Sequence, residues 1–518
     1  LPVNIIPTMT ETLVLEGDNL TIADVERVAR AQATEISISD AARQRVLAAR
    51  EIVDRAVREN RVVYGITTGF GALAEMIIPQ HRIRELQLNL IRSHAAGVGA
   101  PLPEEEVRAI ALLRANVLAL GHSGVRPEII ELLLALVNHR IHPVIPERGS
   151  VGASGDLAPL SHLAMVLIGE GEAFYRGERI DGGEALKRAG LRPVTLEAKD
   201  GLALHNRTPV PTGIGILAFC DARRAIETAE VAGAMSLEGL RGTPDAFHPA
   251  IQRVRPQVGQ MESAARLRTL LANSEIRESH RDNDPRVQDA YSLRCMPQVH
   301  GAARQSLTYI AQVLQTEANS ATDNPLIFPE EGLVLSGGNF HGQPVAQVLD
   351  LLAIVCADMA AISERRIARL VDPNLSGLPP FLVRDPGVNS GMMMPQIVAA
   401  ALVADIKLKA HPASVDTIPT DNNKEDHVSM GQGAALKARE AVRLLETVLA
   451  LELFVAAQAL EFLKPLRPGR GVERAYQIVR ERVTALDNDR YLTPDIEAMI
   501  ELVHSGVFAS LHADLPPA

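Results

Sequence analysis

Basic tracts are missing from this 518-residue chain: 52 lysines and arginines stand against 63 aspartates and glutamates, a formal net charge of −11. A nucleic-acid partner needs a concentrated cationic face to collect phosphates, so no nucleic-acid role is expected. Cysteine is scarce. Cys220, Cys295 and Cys356 are odd in number, far apart and without a C-x-x-C spacing, which excludes a disulfide framework and fits reduced packing residues of a cytoplasmic protein. No stretch reads as the roughly 18 uncharged apolar residues that a membrane span requires, so no membrane partner is expected. The opening segment Leu1–Leu20 has no basic region followed by an apolar core, so no leader peptide is expected. Short repeats and low-complexity tracts are lacking as well.

What is present is apolar and periodic. With 47% hydrophobic and 22% charged residues the chain can bury a large core. Its length exceeds that of one compact domain, which predicts two or three lobes or long elements shared with a partner. A soft boundary is expected near residue 220, separating an N-terminal lobe (1–220) from a central long-helix bundle with a C-terminal helical region (221–518). Three- and four-residue apolar spacing predicts helices from Ile22 to Val28 after the cap-like Thr21, from Ala41 to Asn60, and over "IRELQLNLIRSH", "PEEEVRAIALLRANVLAL" and "PEIIELLLALVNHR". Only "TLVLEG", "RVVYGI" and "LVLSGG" read as strands. Two patterns are unusually long, Pro344–Leu370 and Ala434–Leu463, the second worth roughly 45 Å of helix. Apolar residues surround much of both, as in the middle of a bundle or between subunits. The expected class is mainly α, a long-helix bundle.

Polar, glycine-rich loops between these helices hold the candidate chemistry. "GFGALA" (Gly69–Ala74) matches a dinucleotide fingerprint, but the strand–helix alternation of a Rossmann sheet is missing. His139 and His142 approach a zinc spacing without a third ligand nearby, and read as a packed or solvated pair. "GSVGASGDLAPL" (Gly149–Leu160) is neither a nucleophile elbow, since Asp156 stands where the second glycine belongs, nor a P-loop, since no Gly-Lys-Ser/Thr follows. Its centre permits another reading. An unhindered Gly155 nitrogen can attack the Ala153 carbonyl in a tight turn. Loss of one water there and a second from Ser154 leaves a conjugated ring with an exocyclic methylene, a strong electrophile made by the chain itself.

That segment resembles the self-forming methylidene-imidazolone (MIO) motif of the aromatic amino-acid ammonia-lyases. Further blocks resemble the family in its order: "YGITTGFG" from Tyr64, "LIRSHAAGVGAPL" around His94, "VQDAYSLRCMPQV" from Val287, "ATDNPLIF" around Asn324, "GGNFHGQPVA" around Phe340 and "NKEDHVSMG" from Asn423. The resemblance implies an almost entirely helical fold, a homotetramer whose sites draw on more than one subunit, MIO formed from Ala153-Ser154-Gly155 with no external cofactor or metal, and mobile loops around Tyr64 and Tyr291.

The implied chemistry is elimination of ammonia from an amino acid, which needs a better nitrogen leaving group and removal of a weakly acidic β-proton. The electrophile serves the first need and a base the second. The resemblance makes Tyr64 that base. An ordinary phenol has a pKa of about 10, so the surroundings are expected to lower it or deliver the proton by geometry. Arg294 is the implied clamp for the substrate carboxylate, with a planar bidentate fork. Asn206, Gln288, Tyr291 and Asn324 are implied to surround the prosthetic ring and the polar end of the substrate, with Phe340 packing beside them. His94 and Glu425 are implied to read an imidazole, which favours L-histidine, giving trans-urocanate, with Glu425 also assisting proton transfer. Two alternatives stand: L-tyrosine or L-phenylalanine, by ammonia release or 2,3-aminomutation, and an inactive structural homologue. Two departures from the family pattern bear on these. Arg207, preceded by His205, replaces the usual glycine after Asn206, adding bulk and charge beside the ring. Lys424 replaces the usual glutamine and is expected to bias the site toward an acidic or phenolic group.

Overall fold

The computed structural model describes residues 11–30, 34–282, 284, 286–512 and 515; the first ten residues of the segment read for a leader lie outside them. Helices dominate, as the periodicity predicts. Thr21 caps Ile22–Ala29 with a reciprocal capping box to Asp24, and Ser39 caps Asp40–Arg58 through the Ala42 N–H. Ile83–His94, Glu104–Ala119 and Pro127–Asn138 follow. The long patterns form helices Gln343–Val371 and Gly431–Glu461. Sheets are short. Glu11–Leu15 pairs in parallel with Thr34–Ile38, with Leu13 opposite Ile36, and Leu326–Phe328 pairs antiparallel with Leu333–Leu335.

Three expectations change. "RVVYGI" forms no strand: Thr67 Oγ1 accepts the Val63 N–H at 3.0 Å and donates to the Arg61 carbonyl at 2.6 Å, so a side chain curls the backbone that a ladder would have extended. The helix Pro209–Gly239, 31 residues long, is hidden in the sequence by "PVPTGIG", a stretch of poor helix formers. Packing overrides that propensity, since a Cβ on Gly215 would stand 2.7 Å from Leu349 and one on Gly213 3.2 Å from Ile110. Finally, Gln343–Val371 is long and apolar enough, by length and composition alone, to cross a membrane. Of its apolar window, 61% is buried within the structure.

The chain forms two compact units: residues 1–217, 311–349 and 412–436 in the first, and 218–310, 350–411 and 437–518 in the second. It returns to the first unit twice, where one cut near residue 220 was expected. The first unit has a core of Ile52, Val53, Ile66, Ile83 and Ile327. His142, read as a packed residue, is buried there, accepting from Arg108 at 2.9 Å and facing Glu104 at 3.2 Å. Burial and the cation of Arg108 push its pKa down to about 4, which favours the neutral ring.

The second unit is organised around an ion pair with no solvent exposure. Arg366 grips Glu452 through Nε at 2.5 Å and Nη2 at 2.8 Å, while Ser236 and Ser363 donate to the two carboxylate oxygens at 2.7 and 2.5 Å. Removing one partner strands a buried charge. Arg366→Met is therefore expected to destabilise the protein by about 3–5 kcal/mol, read as a lowered unfolding midpoint in denaturant; an unchanged midpoint would refute the pairing.

Candidate active site

The Ala-Ser-Gly segment lies in a turn with three positive φ angles: Gly152 at +80°, Ser154 at +49° and Gly155 at +82°. For a serine this region is disfavoured, so the surroundings must enforce it. They do so from both sides. The Asp156 N–H donates to the Arg207 carbonyl at 2.7 Å, and Gly155 bridges to Arg207 in parallel. A Cβ on Gly155 would stand 2.2 Å from that carbonyl oxygen, so only glycine fits. On the other side the Met430 N–H donates to the Val151 carbonyl at 2.8 Å, and Gln432 receives the Ser150 N–H at 2.9 Å. Ala153, Ser154 and Gly155 thus have the glycine-bounded, compact backbone that ring closure between residues two apart requires.

Ser154 opens onto a cavity of about 580 Å³. Tyr64, His94, Asn206 and Glu425 line the same cavity, so it unites five of the residues singled out in the sequence. Ser154 Oγ donates to Glu425 Oε1 at 2.7 Å, and Thr420 Oγ1 holds Oε2 at 2.8 Å. The Gly71 N–H donates to Tyr64 Oη at 3.3 Å. Asn206 is 3% exposed, and its amide oxygen has no partner among the described residues. Apolar walls come from Met76, Ile78, Leu86, Leu90, Leu157 and Leu202. A carboxylate, a phenol, an amide oxygen and imidazoles thus converge, with Asn89, Ser93 and Asp421, on a space with largely apolar walls, the composition of a small-molecule site.

Other expectations are corrected. The Tyr64 phenol is not lowered: burial raises it, Asp421, Glu425 and Asp323 add to the rise, and only the Gly71 N–H opposes. Arg207 does not fill the cavity. Its guanidinium, without solvent exposure, turns to Asp323 and Ser123. Lys424 is exposed and lines no part of the cavity, because left-handed backbone over Asp421, Asn422 and Asn423 turns Glu425 inward and leaves its neighbour in solvent. Asn324 and Phe340 are not among the lining residues. Asn324 Oδ1 instead receives Ser336 Oγ at 3.0 Å and the Gly337 N–H at 2.9 Å, and Phe340 is half-buried. Gln288, Tyr291 and Arg294 belong to the second unit and do not line this cavity. There the Arg294 guanidinium lies 4.6 Å from the centre of the Tyr291 ring, and Tyr291 is 72% exposed.

The sequence reading missed what lies beneath the loop. Arg114, Lys199, Arg207 and Asp323 all have no exposure. Lys199 donates to Asp323 at 3.1 Å beside the Arg207 contact. Burial alone would raise the Asp323 carboxyl, but Arg207, Lys199 and Arg114 outweigh it and hold the group below the usual carboxylate range. Burial pushes the Lys199 amine down to about 8 and the neighbouring Asp156 carboxyl up to about 8, against hydrogen bonds from Val210 and Ser150. Asp323 stood within a quoted block, but nothing local in "ATDNP" shows that distant cations converge on it. Asp323→Asn leaves Arg207 and Lys199 buried without that counter-charge. A loss of about 3–5 kcal/mol in stability is expected by thermal or denaturant unfolding, and a wild-type unfolding curve would contradict the pairing.

Comparison with known proteins accords with this geometry. The aromatic amino acid lyase family model matches residues 20–481. Histidine ammonia-lyase of Caldanaerobacter subterraneus subsp. tengcongensis is 54% identical over 494 residues, covering 95% of this chain and 97% of the relative. The crystal structure of histidine ammonia-lyase from Trypanosoma cruzi aligns with a TM-score of 0.90 at 43% identity, over 97% of this chain and 95% of that one. Tyrosine aminomutase from Streptomyces globisporus aligns with a TM-score of 0.92 at 37% identity, over 97% and 98%. A helical fold, a glycine-bounded Ala-Ser-Gly turn on an apolar-walled cavity and a family match over most of the chain lead to one assignment: the chain belongs to the aromatic amino acid lyase family and is a carbon–nitrogen lyase.

Proposed function

We propose that this lyase eliminates ammonia from L-histidine to give trans-urocanate, with MIO formed from Ala153, Ser154 and Gly155. The observation that carries the reading is the strained turn that opens the Ser154 hydroxyl onto the cavity shared by Tyr64, His94, Asn206 and Glu425. Ring closure joins the Gly155 nitrogen to the Ala153 carbonyl carbon and expels one water; the second takes the Ser154 hydroxyl and its α-proton. Glu425, already bonded to that hydroxyl, is placed to act in its departure. The finished group supplies an electrophile for the substrate amine.

The remaining work falls to side chains. Tyr64 removes the β-proton at Oη, and the unpartnered Asn206 oxygen accepts an N–H from the substrate's amine end. His94 and Glu425 read the imidazole, with Glu425 also passing a proton. Asn324 and Phe340 act around the ring and the substrate, Asn324 through the loop that its Oδ1 holds at Ser336 and Gly337. Gln288, Tyr291 and Arg294, exposed or half-buried in the second unit, complete the site from a neighbouring copy in a homotetramer, where Arg294 clamps the carboxylate. Exposed Met394, Ile397 and Leu408 on the helix Met393–Lys409 support such an assembly. The thiols of Cys295 and Cys356, the second of them buried, support a cytoplasmic setting. The second reading, a tyrosine lyase or aminomutase, is favoured by the likeness to tyrosine aminomutase.

An ultraviolet assay with L-histidine, L-tyrosine and L-phenylalanine separates these readings, because each elimination product is a conjugated acid. Turnover of histidine above the other two is expected; preference for tyrosine, or a β-amino acid product, would replace the first reading by the second. The purified chain is expected to weigh two waters less than its sequence, and Ser154→Ala to restore the full mass and abolish turnover. Full activity in that variant would rule the ring out.

Tyr64→Phe is expected to lower kcat by about 10²- to 10⁴-fold. Because burial and nearby carboxylates raise the phenol, its reactive phenolate fraction is small at neutral pH. That fraction grows about tenfold for each pH unit below the pKa. The kcat/KM profile is thus expected to rise from pH 7 to 9, and a flat profile would remove Tyr64 from the role of base.

A further inference from the structure

His205 was noted in the sequence only as the neighbour of Asn206, yet it lines the cavity and is 2% exposed. Its Nδ1 lies 2.9 Å from the Gly201 carbonyl, one turn back in the helix Asp200–His205. A carbonyl only accepts, so Nδ1 carries the proton and Nε2, on the opposite edge of the ring, is left as an acceptor. His94 is placed similarly: its Nδ1 lies 2.9 Å from the Leu90 carbonyl, also one turn back, and 3.0 Å from Ser93 Oγ, a hydroxyl that can accept as well as donate. The two rings are tilted against each other with centroids 5.0 Å apart. Neither Nε2 has a hydrogen-bond partner among the described residues.

We propose that His205 is a specificity-determining residue, which with His94 presents paired imidazole acceptors to a hydrogen-bond donor on the ring of the substrate. The proposal rests on the reading of this cavity as the substrate site and names the chemistry it selects. An imidazole N–H satisfies an acceptor, as does a phenol O–H; a phenyl ring leaves the buried His205 acceptor without a partner. The cost falls on the unpaired protein group, so a site built around an acceptor rejects the analogue that lacks the donor far more strongly than a slightly misshapen apolar pocket does. Burial, then the neighbouring His94, holds the His205 pKa down to about 3, so the ring stays a neutral acceptor throughout the working range. The Leu86, Leu90, Leu157 and Leu202 walls offer the substrate ring apolar contact beside these acceptors.

The test compares discrimination, not activity alone. In wild type, His205→Leu and His205→Gln, kcat/KM is measured for L-histidine and L-phenylalanine, and the two-water mass deficit is checked in each. His205→Leu is expected to keep the deficit and lower the histidine-to-phenylalanine ratio at least tenfold, chiefly through the KM for histidine. His205→Gln, which keeps an acceptor, is expected to restore most of the ratio. A ratio within twofold of wild type in His205→Leu would overturn the proposal while leaving the lyase reading intact. If wild type lacks both deficit and turnover, the lyase reading fails instead. The proposal is then decided by calorimetric binding of the same two amino acids to Ser154→Ala with and without His205→Leu, where a tenfold loss of preference for histidine supports it and an unchanged preference ends it.

Discussion

Asp323 is the carboxylate on which the active-site geometry depends. It has no solvent exposure and faces two cations equally buried, Lys199 and Arg207. Those cations flank one short helix. Lys199 occupies the N-cap of Asp200–His205, with φ at +70°, and Arg207 follows the C-cap Asn206. A single anion therefore ties down both ends of the segment that carries His205 and Asn206 into the cavity. The same Arg207 lends its backbone carbonyl to the Asp156 N–H and so closes the turn around Gly155. Gln87 adds a clamp from a neighbouring helix, its Oε1 receiving the N–H groups of Gly201 and Leu202 at 2.8 and 3.2 Å. Buried charge is costly unless it is paired, and that cost makes the arrangement rigid: sliding the segment separates the charges.

Within the cavity, polar groups differ in what they have left to offer. Glu425 has both oxygens engaged, by Ser154 and Thr420. Tyr64 accepts one N–H and otherwise faces carboxylates that oppose its ionisation. His94 and His205 have spent a donor on their own helices and keep an acceptor. Asn206 keeps its oxygen. The unspent capacity is thus acceptor-rich, which suits a substrate whose amine and ring both bring N–H groups. A substrate ammonium entering near Asp421 and Glu425 also offsets the negative field that raises Tyr64, so substrate binding itself favours the phenolate.

Much of this was legible in sequence where the signal is local. Thr21 announces a helix start because its cap is written within four residues. The glycine-bounded turn at Ala-Ser-Gly is readable because it involves adjacent residues. Signals spread over the chain were not readable. The helix Pro209–Gly239 opens with prolines and glycines whose purpose lies on other segments, Ile110 and Leu349. Asp323 stands 124 residues from Lys199 and 116 from Arg207, and it meets them only in the fold. Arg207 and Lys424 misled for a related reason: sequence adjacency to a site residue says nothing of where a side chain points, and backbone turns send both away from the cavity.

Arg207 shows how such a departure is absorbed. Its φ of +146° lies where glycine is favoured, and holding another residue in a disfavoured region costs of order 1–3 kcal/mol. A glycine there would avoid the strain but would bring no anchor. The arginine brings one: its guanidinium reaches Asp323 and Ser123 in a space closed to water. The buried carboxylate, held by Lys199 as well, fixes the guanidinium, so the bent backbone holds as long as Asp323 stays ionised beneath it. The residue that looked like an obstruction beside the Ala-Ser-Gly turn is thereby converted into a tether for the backbone on which Gly155 rests.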